Sequence, residues 1–271
     1  MNRADADAAQ LVQQILTTEG IHLILAPKPA QVLKTDGGKL IRYERAGQPG
    51  EIEVDEILAG AGRAPNVENL GLEAAGVRDE KRAGGTVNDR LQTTNRRIYA
   101  AGDVCLEYKF THLADASARI VIQNALFFGR KKLSALTIPW CTYTDPEVAH
   151  VGINEAEAEK QGIQIETFMK PLTEVDRAVV DGEAEGMVKI HLKRGSDKIL
   201  GATIVARHAG EMISEITLAM VGKIGLGALA AVIHPYPTQA EAIRQTGDLY
   251  NRTRLTPFVK KLFTRFLAWR R

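Results

Sequence analysis

The stretch Thr93-Thr94-Asn95-Arg96-Arg97-Ile98-Tyr99-Ala100-Ala101-Gly102-Asp103 constrains the fold more than any other part of the sequence. Ile98 to Ala101 is a short apolar run, and it stops on a Gly-Asp pair that neither continues a strand comfortably nor starts a helix well, so a strand should end here. Ala100, Ala101 and Gly102 carry almost no side chain, so another backbone or a flat ligand can come close. Asp103 is then left at a strand's carboxyl end, where α/β sheets place their ligands. A carboxylate there suits sugar-like hydroxyls. The same residues also read as an ordinary strand end with a turn aspartate.

The pattern T-x-N-x-x-I-Y-A-A-G-D resembles the second flavin signature of the FAD-dependent pyridine nucleotide-disulfide oxidoreductases, the family of dihydrolipoamide dehydrogenase, glutathione reductase and mercuric reductase. Gly62-Arg63-Ala64-Pro65-Asn66 precedes it, and Tyr143-Thr144-Asp145-Pro146-Glu147 and His234-Pro235-Tyr236-Pro237-Thr238 follow, in the family's order. The resemblance therefore covers nearly the whole chain. It implies FAD and NAD(P)H as cofactors, and it implies that Asp103 holds the ribityl chain of FAD, with Gly62 and Gly102 beside it. Without the family, Arg63 reads as a surface charge beside a turn proline.

Composition bounds the rest. With 271 residues, 45% hydrophobic and 25% charged, the chain can bury a sizeable core in one or two domains. A formal charge of +2, with no basic stripe interleaved with aromatics over the first 250 residues, argues against a nucleic-acid partner. The two cysteines, Cys105 and Cys141, are too few for a disulfide framework and are not spaced as a zinc site or a C-x-x-C pair. They read as buried, unreactive thiols in a reducing cytoplasm, and no secretory leader opens the sequence. Ile216 to Ile233 is interrupted by Lys223 and three glycines, and it reads as two buried helical pieces, not a membrane span.

Along the chain, Asp5 to Thr18 sets Ala8, Leu11, Val12, Ile15 and Leu16 on one helical face, with Gly20 placed to cap it. Ile21–Leu25, Gln31–Thr35, Lys39–Glu44 and Asp55–Ala59 read as strands, punctuated by Asp36-Gly37-Gly38 and Gly47-Gln48-Pro49-Gly50. After Asp103 a loop leads to a helix from about Thr111 to Gly129, with Thr111 as N-cap and a stripe of Leu113, Ala116, Ile120 and Phe127 broken by Asn124. The amides and positive end of such a helix, at Phe110, Thr111, His112 and Leu113, suit the electron-rich pyrimidine edge of a flavin. A capped structural helix with His112 at its start is the plainer alternative.

From Leu136 the pattern turns antiparallel: Ile138–Tyr143, Val148–Val151, Ile163–Met169, Gly186–Lys193 and Ile199–Ala206. Val188, Ile190 and Leu192 alternate with Lys189, His191 and Lys193, so one face of the sheet is expected to be wet. Asn154-Glu155-Ala156-Glu157 has the form of a capping box, Arg194-Gly195-Ser196-Asp197 of a hairpin turn, and helices from about Ala209 and Leu226 cover the sheet. The expected fold is α/β and α+β. The domains implied are the C-terminal part of an NAD(P)H-binding domain (1–62), the C-terminal part of an FAD-binding α/β domain (63–133), an α+β interface domain (134–255) and a basic amphipathic tail (256–271). In the family the interface domain makes a two-fold dimer, so a homodimer is implied.

His234-Pro235-Tyr236-Pro237-Thr238-Gln239-Ala240-Glu241 is similar to the family's H-x-H-P-T-x-x-E segment, in which the second His is the general acid/base and the Glu orients it. Glu241 matches that Glu, Tyr236 replaces the base, and His234 stands two residues earlier. A phenol of ordinary pKa, about 10, is a hydrogen-bond donor at neutral pH and not a base. This departs from dihydrolipoamide and glutathione reductases and resembles mercuric reductases, which however end in a cysteine pair that this sequence lacks. His234 also reads as a packed or solvated histidine.

The sequence contains no G-x-G-x-x-G after a strand and no C-x-x-x-x-C. The resemblance thus implies the C-terminal part of a longer reductase, truncated, split or internally initiated, whose isolated chain is inactive and nearly colourless. A small-molecule electron acceptor is implied. The rival class is a non-catalytic dimerisation or scaffold module derived from such an enzyme. In the tail, Arg252, Arg254, Lys260, Lys261, Arg265, Arg270 and Arg271 have no acidic counterpart, and Phe258, Leu262, Phe263, Phe266 and Trp269 recur at helical spacing. Contact with an anionic membrane and packing on the protein's own body are both open readings.

Overall fold

The computed structural model describes residues 4–270, which fall into two compact units: Leu16–Ser134, and residues 135–270 together with residues 4–15. Helix α1 (Ala6–Thr18) opens the chain and buries Ala8, Val12 and Ile15. It ends as its sequence predicts, with Gly20 at a φ of +88° and the Ile21 amide returning to the Leu16 carbonyl at 2.9 Å.

In the unit of residues 16–134, β1 (Lys28–Lys34), β2 (Lys39–Arg45) and β3 (Gln48–Val54) form an antiparallel meander. The third strand begins inside the segment that reads as a turn. Ala46 and Gly47, at φ of +51° and +79°, make a two-residue turn by themselves, so Gln48 already pairs with Arg45. Gly50 belongs to the strand because it lies against the Tyr43 ring, where an added Cβ would come within 2.6 Å. Residues 21–25 and 55–59, expected as strands, are irregular and leave Leu25 and Leu58 exposed.

A short ladder of β4 (Asp79–Glu80) and β5 (Gly84–Gly85) follows. The expected strand at Ile98–Ala101 is reduced to a single bridge, Gln92 to Tyr99, before a 3-10 turn at Gly102–Val104. Helix α2 (Thr111–Leu126) buries Leu113, Ser117 and Ile120. Its N-cap is Phe110 and not Thr111, and no side chain caps it. Asn124 breaks the stripe because its amide is tied to Lys131, donating to the carbonyl and accepting from the N–H at 2.9 Å each.

The other unit is a five-stranded antiparallel sheet of β6 (Pro139–Thr142), β7 (Glu147–Gly152), β8 (Ile165–Pro171), β9 (Met187–Lys193) and β10 (Ile199–Ala206), in the order β6-β7-β10-β9-β8. Helix α3 (Glu155–Lys160) has the predicted capping box, with Asn154 Oδ1 accepting from the Glu157 amide at 2.8 Å and Glu157 Oε2 accepting from the Asn154 amide at 3.3 Å. After α4 (Asp176–Val180), helices α5 (Ala209–Val221), α6 (Leu226–Leu229), α7 (Glu241–Thr253) and α8 (Pro257–Trp269) complete the chain. The core holds Val188, Ile190, Leu192 and Ile204 from the sheet with Ile213, Ile216 and Ile243 from α5 and α7.

The opposite face, expected to be wet, is covered. Lys189 is 2% exposed and His191 fully buried, because the N-terminal segment brings its own carboxylates to them. Lys189 Nζ donates to Asp7 at 2.6 Å and to Glu155 at 3.3 Å. His191 Nε2 lies 3.3 Å from Asp5 Oδ2, which also accepts from Thr203 Oγ1 at 2.6 Å. Burial penalises the Asp5 charge, but the hydrogen bonds from His191 and Thr203 outweigh it and hold the carboxyl well below the usual range. Burial likewise opposes the Lys189 charge, and its acidic neighbours, Asp7 first, raise its pKa in spite of it. Alternation in a strand distinguishes two faces, but it cannot reveal a remote segment that covers the polar one.

Candidate functional site

The Gly102–Val104 turn is fixed against the first two turns of α2. The Gly102 amide donates to Ser117 Oγ at 3.0 Å, and Ser117 Oγ donates to the Ala114 carbonyl at 2.8 Å. Gly102 is in the left-handed region, with φ of +75°, and a Cβ there would stand 3.0 Å from Ala114 Cβ, so both its conformation and its surroundings call for glycine. The amides of Cys105 and Leu106 both return to the Gly102 carbonyl at 3.1 Å. Gly84 closes the other side: a Cβ there would be 2.1 Å from the Val104 carbonyl oxygen and 3.2 Å from Pro65 Cβ. These contacts bring the Gly62–Asn66 segment, the Asp103 turn and the start of α2 into one place.

Asp103 is partly exposed, and its Oδ2 pairs with Arg63 Nη1 at 3.1 Å. Both side chains are wet, so the pair contributes at most about 1 kcal/mol; its importance lies in direction. Gly62, at φ of +98°, has open space where a side chain would stand. Tyr108, Phe110 and His112 form a stacked row, with centroids 5.8 Å and 5.2 Å apart. Leu113 is buried and anchors the helix start, while Thr111 and His112 face outward. The amides in the first turn of a helix have no intrahelical acceptor, and the helix dipole favours negative charge there. Of the residues singled out from the sequence, Gly102, Asp103, Phe110, Thr111, His112 and Leu113 share this region, and Gly62 lies next to the Asp103 partner. The Arg63 pairing and the buried Ser117 bond emerge only in three dimensions.

These residues fit a flavin. The Asp103 carboxylate is accessible to hydroxyl donors, and the helix start supplies N–H donors. Burial pushes the Cys105 thiol up to about 11, and burial together with Glu147 pushes Cys141 up to about 12, which disfavours both thiolates; Cys105 is buried as expected, whereas Cys141 is only half-buried. Both are free.

The second group lies in the C-terminal unit. Tyr236 is exposed, and its hydroxyl donates to Asp176 Oδ2 at 2.9 Å; that carboxylate raises the phenol's pKa and keeps it protonated. His234 Nε2 meets the Glu215 carboxylate at 3.0 and 3.1 Å, and its Nδ1 faces the Val232 carbonyl at 3.2 Å. Glu241 pairs with Arg244 at 2.7 Å. The three residues therefore hold three different partners. Asp176 and Glu215 are far away in sequence, and no local spacing points to them. Thr238 Oγ1 and Gln239 Oε1, beside Tyr236 in sequence, are buried without hydrogen-bond partners among the described residues. Asp5, Glu155 and His191 bring ligand-type atoms within 4.8 Å of one another, but Lys189 Nζ, 3.3 Å from Glu155 and 3.9 Å from Asp5, already supplies the positive charge there.

Residues 138–246 match the dimerisation domain of the pyridine nucleotide-disulphide oxidoreductases, and residues 1–118 match the pyridine nucleotide-disulphide oxidoreductase model. The chain is 36% identical over 240 residues to a mercuric reductase of Staphylococcus aureus, covering 89% of this chain and 44% of that protein. It is 34% identical over 250 residues to a dihydrolipoyl dehydrogenase of Thermus scotoductus, covering 92% of this chain and 54% of that protein. Among solved structures, the HOCl-induced flavoprotein disulfide reductase RclA from Escherichia coli superposes with a TM-score of 0.83 at 26% identity, over 92% of this chain and 57% of that one. The chain thus spans about half the length of these relatives. With both of its halves matched in order, the chain belongs to the pyridine nucleotide-disulphide oxidoreductase family.

Proposed function

We propose that these residues serve a cytoplasmic, homodimeric FAD-dependent NAD(P)H oxidoreductase that reduces a disulfide or metal-ion acceptor. In this reading residues 1–62 close an NAD(P)H-binding domain, residues 63–133 close an FAD-binding domain and residues 134–255 form the dimer interface. The first flavin fingerprint and the redox cysteine pair come from outside the 271 residues. The observation that carries the reading is the Gly102–Asp103 turn, locked to α2 through Ser117 and facing Arg63.

Bound FAD would take a hydride from NAD(P)H and pass electrons on. Asp103 would accept hydrogen bonds from ribityl hydroxyls, exchanging its pairing with Arg63 for them. The first-turn amides of Thr111, His112 and Leu113 would donate to the pyrimidine edge and favour negative charge on it. On the acceptor side, Tyr236 holds its proton and can only donate, whereas His234 against Glu215 can exchange one.

A non-catalytic dimerisation module is the second reading. The separate engagements of Tyr236, His234 and Glu241 favour it, since none of the three is joined to another. Kinetics of the whole protein separate the two. In the enzyme reading, Tyr236→Phe and His234→Gln slow acceptor reduction by about a hundredfold while NAD(P)H still bleaches the flavin at the wild-type rate. A protein that oxidises no NAD(P)H, or variants with unchanged turnover, would support the module instead.

A further inference from the structure

The C-terminal helix has a use that the redox reading does not absorb. Helix α8 starts cleanly, with Pro257 in its first turn and Thr256 Oγ1 accepting from the Val259 amide at 3.3 Å, so it is a defined helix and not a fraying end. At 100° per residue, Phe258, Val259, Leu262, Phe263, Phe266, Leu267 and Trp269 fill one half of its circumference. Lys260, Lys261, Thr264, Arg265 and Ala268 fill the other half. No residue of α8 is buried; Phe258 is 76% and Trp269 80% exposed. An apolar arc of about 180° is more than wide enough to be buried, yet no residue of α8 is buried against the rest of the described chain.

Charge selects the occupant. All 33 Asp and Glu residues lie at or before Asp248, whereas seven of the 35 Lys and Arg residues lie beyond it. The segment is thus wholly cationic on a body that is otherwise slightly acidic. Its bulky aromatics, flanking cations and terminal Trp269 are the features of a helix that lies in a membrane interface. Thirteen residues rise only about 20 Å, too short to span a hydrocarbon core of about 30 Å. No helix among the described residues is long and apolar enough to cross a membrane.

We infer that α8 docks the protein on an anionic lipid bilayer, with the Phe258–Trp269 face in the headgroup boundary and Lys260, Lys261 and Arg265 toward the acidic headgroups. This does not depend on the flavin reading and can fail separately from it. The test is cosedimentation of the protein with vesicles of pure phosphatidylcholine and of phosphatidylcholine containing about one-third phosphatidylglycerol. Circular dichroism and light scattering monitor fold and oligomeric state. The protein should pellet with the anionic vesicles and remain in solution with the neutral ones. Lys260→Glu/Lys261→Glu should weaken binding at least about twentyfold, at roughly fivefold per lost cation, and Phe263→Asp/Phe266→Asp should abolish it, with fold and oligomeric state unchanged. Absence of binding to anionic vesicles, or equal binding by the variants, would overturn the inference. So would loss of the dimer on Phe263→Asp/Phe266→Asp without any vesicle binding by the wild type, since a second copy would then cover this face.

Discussion

The five-stranded sheet of the C-terminal unit and the strand-like segments of residues 16–134 differ in one respect. Each of β6 to β10 has antiparallel neighbours within this chain, and β10 runs over Ile199–Ala206, as its sequence indicates. Residues 21–25 and 98–101 are also largely apolar, and residues 55–59 end in Ile57-Leu58-Ala59, yet these segments form no strand beyond the bridge at Tyr99. An apolar run becomes a strand only when a partner strand takes up its backbone groups. The comparison separates what a segment prefers from what its surroundings allow.

Mutations can sharpen that contrast. The largest effect belongs to the sheet core: Ile204→Ala, at a fully buried site, should cost about 3 kcal/mol in urea unfolding, whereas Leu58→Ala, fully exposed, should change stability by less than about 0.5 kcal/mol. Equal effects would erase the distinction. Next comes the covered polar face. Lys189→Met should cost about 2 kcal/mol, because it leaves buried Asp5 without its cation while Asp7 and Glu155 can turn to water.

The same face predicts an acid response. Asp5 has a depressed pKa when folded, so its stabilisation is present above the unfolded value of about 3.9 and is lost as pH falls from there toward the folded value. Asp5→Asn should flatten that acid limb in pH-dependent unfolding. A smaller loss is expected at the α3 cap, where Asn154→Ala should cost about 1 kcal/mol by thermal denaturation.

Much of this was legible in the sequence because the signals are local. The Asn154–Glu157 box, the Gly20 cap and the alternation in β9 each depend on residues a few positions apart. What escaped depends on distance. The cover over Lys189 and His191 comes from residues more than 180 positions away, and the partners of Tyr236 and His234 are 60 and 19 positions away. At the Gly102–Asp103 turn, the glycine and the aspartate were legible, but the Arg63 pairing and the Ser117 bond need the fold that closes Gly84 on Val104.

We propose that Asp103, held by the Gly102 turn at the start of α2, grips a flavin. Its most direct test is the dissociation constant for FAD of the whole protein with Asp103 and with Asp103→Ala, measured by flavin fluorescence after gentle deflavination. The dissociation constant should rise at least about tenfold, through the loss of one or two charge-assisted hydrogen bonds. An unchanged dissociation constant would contradict it.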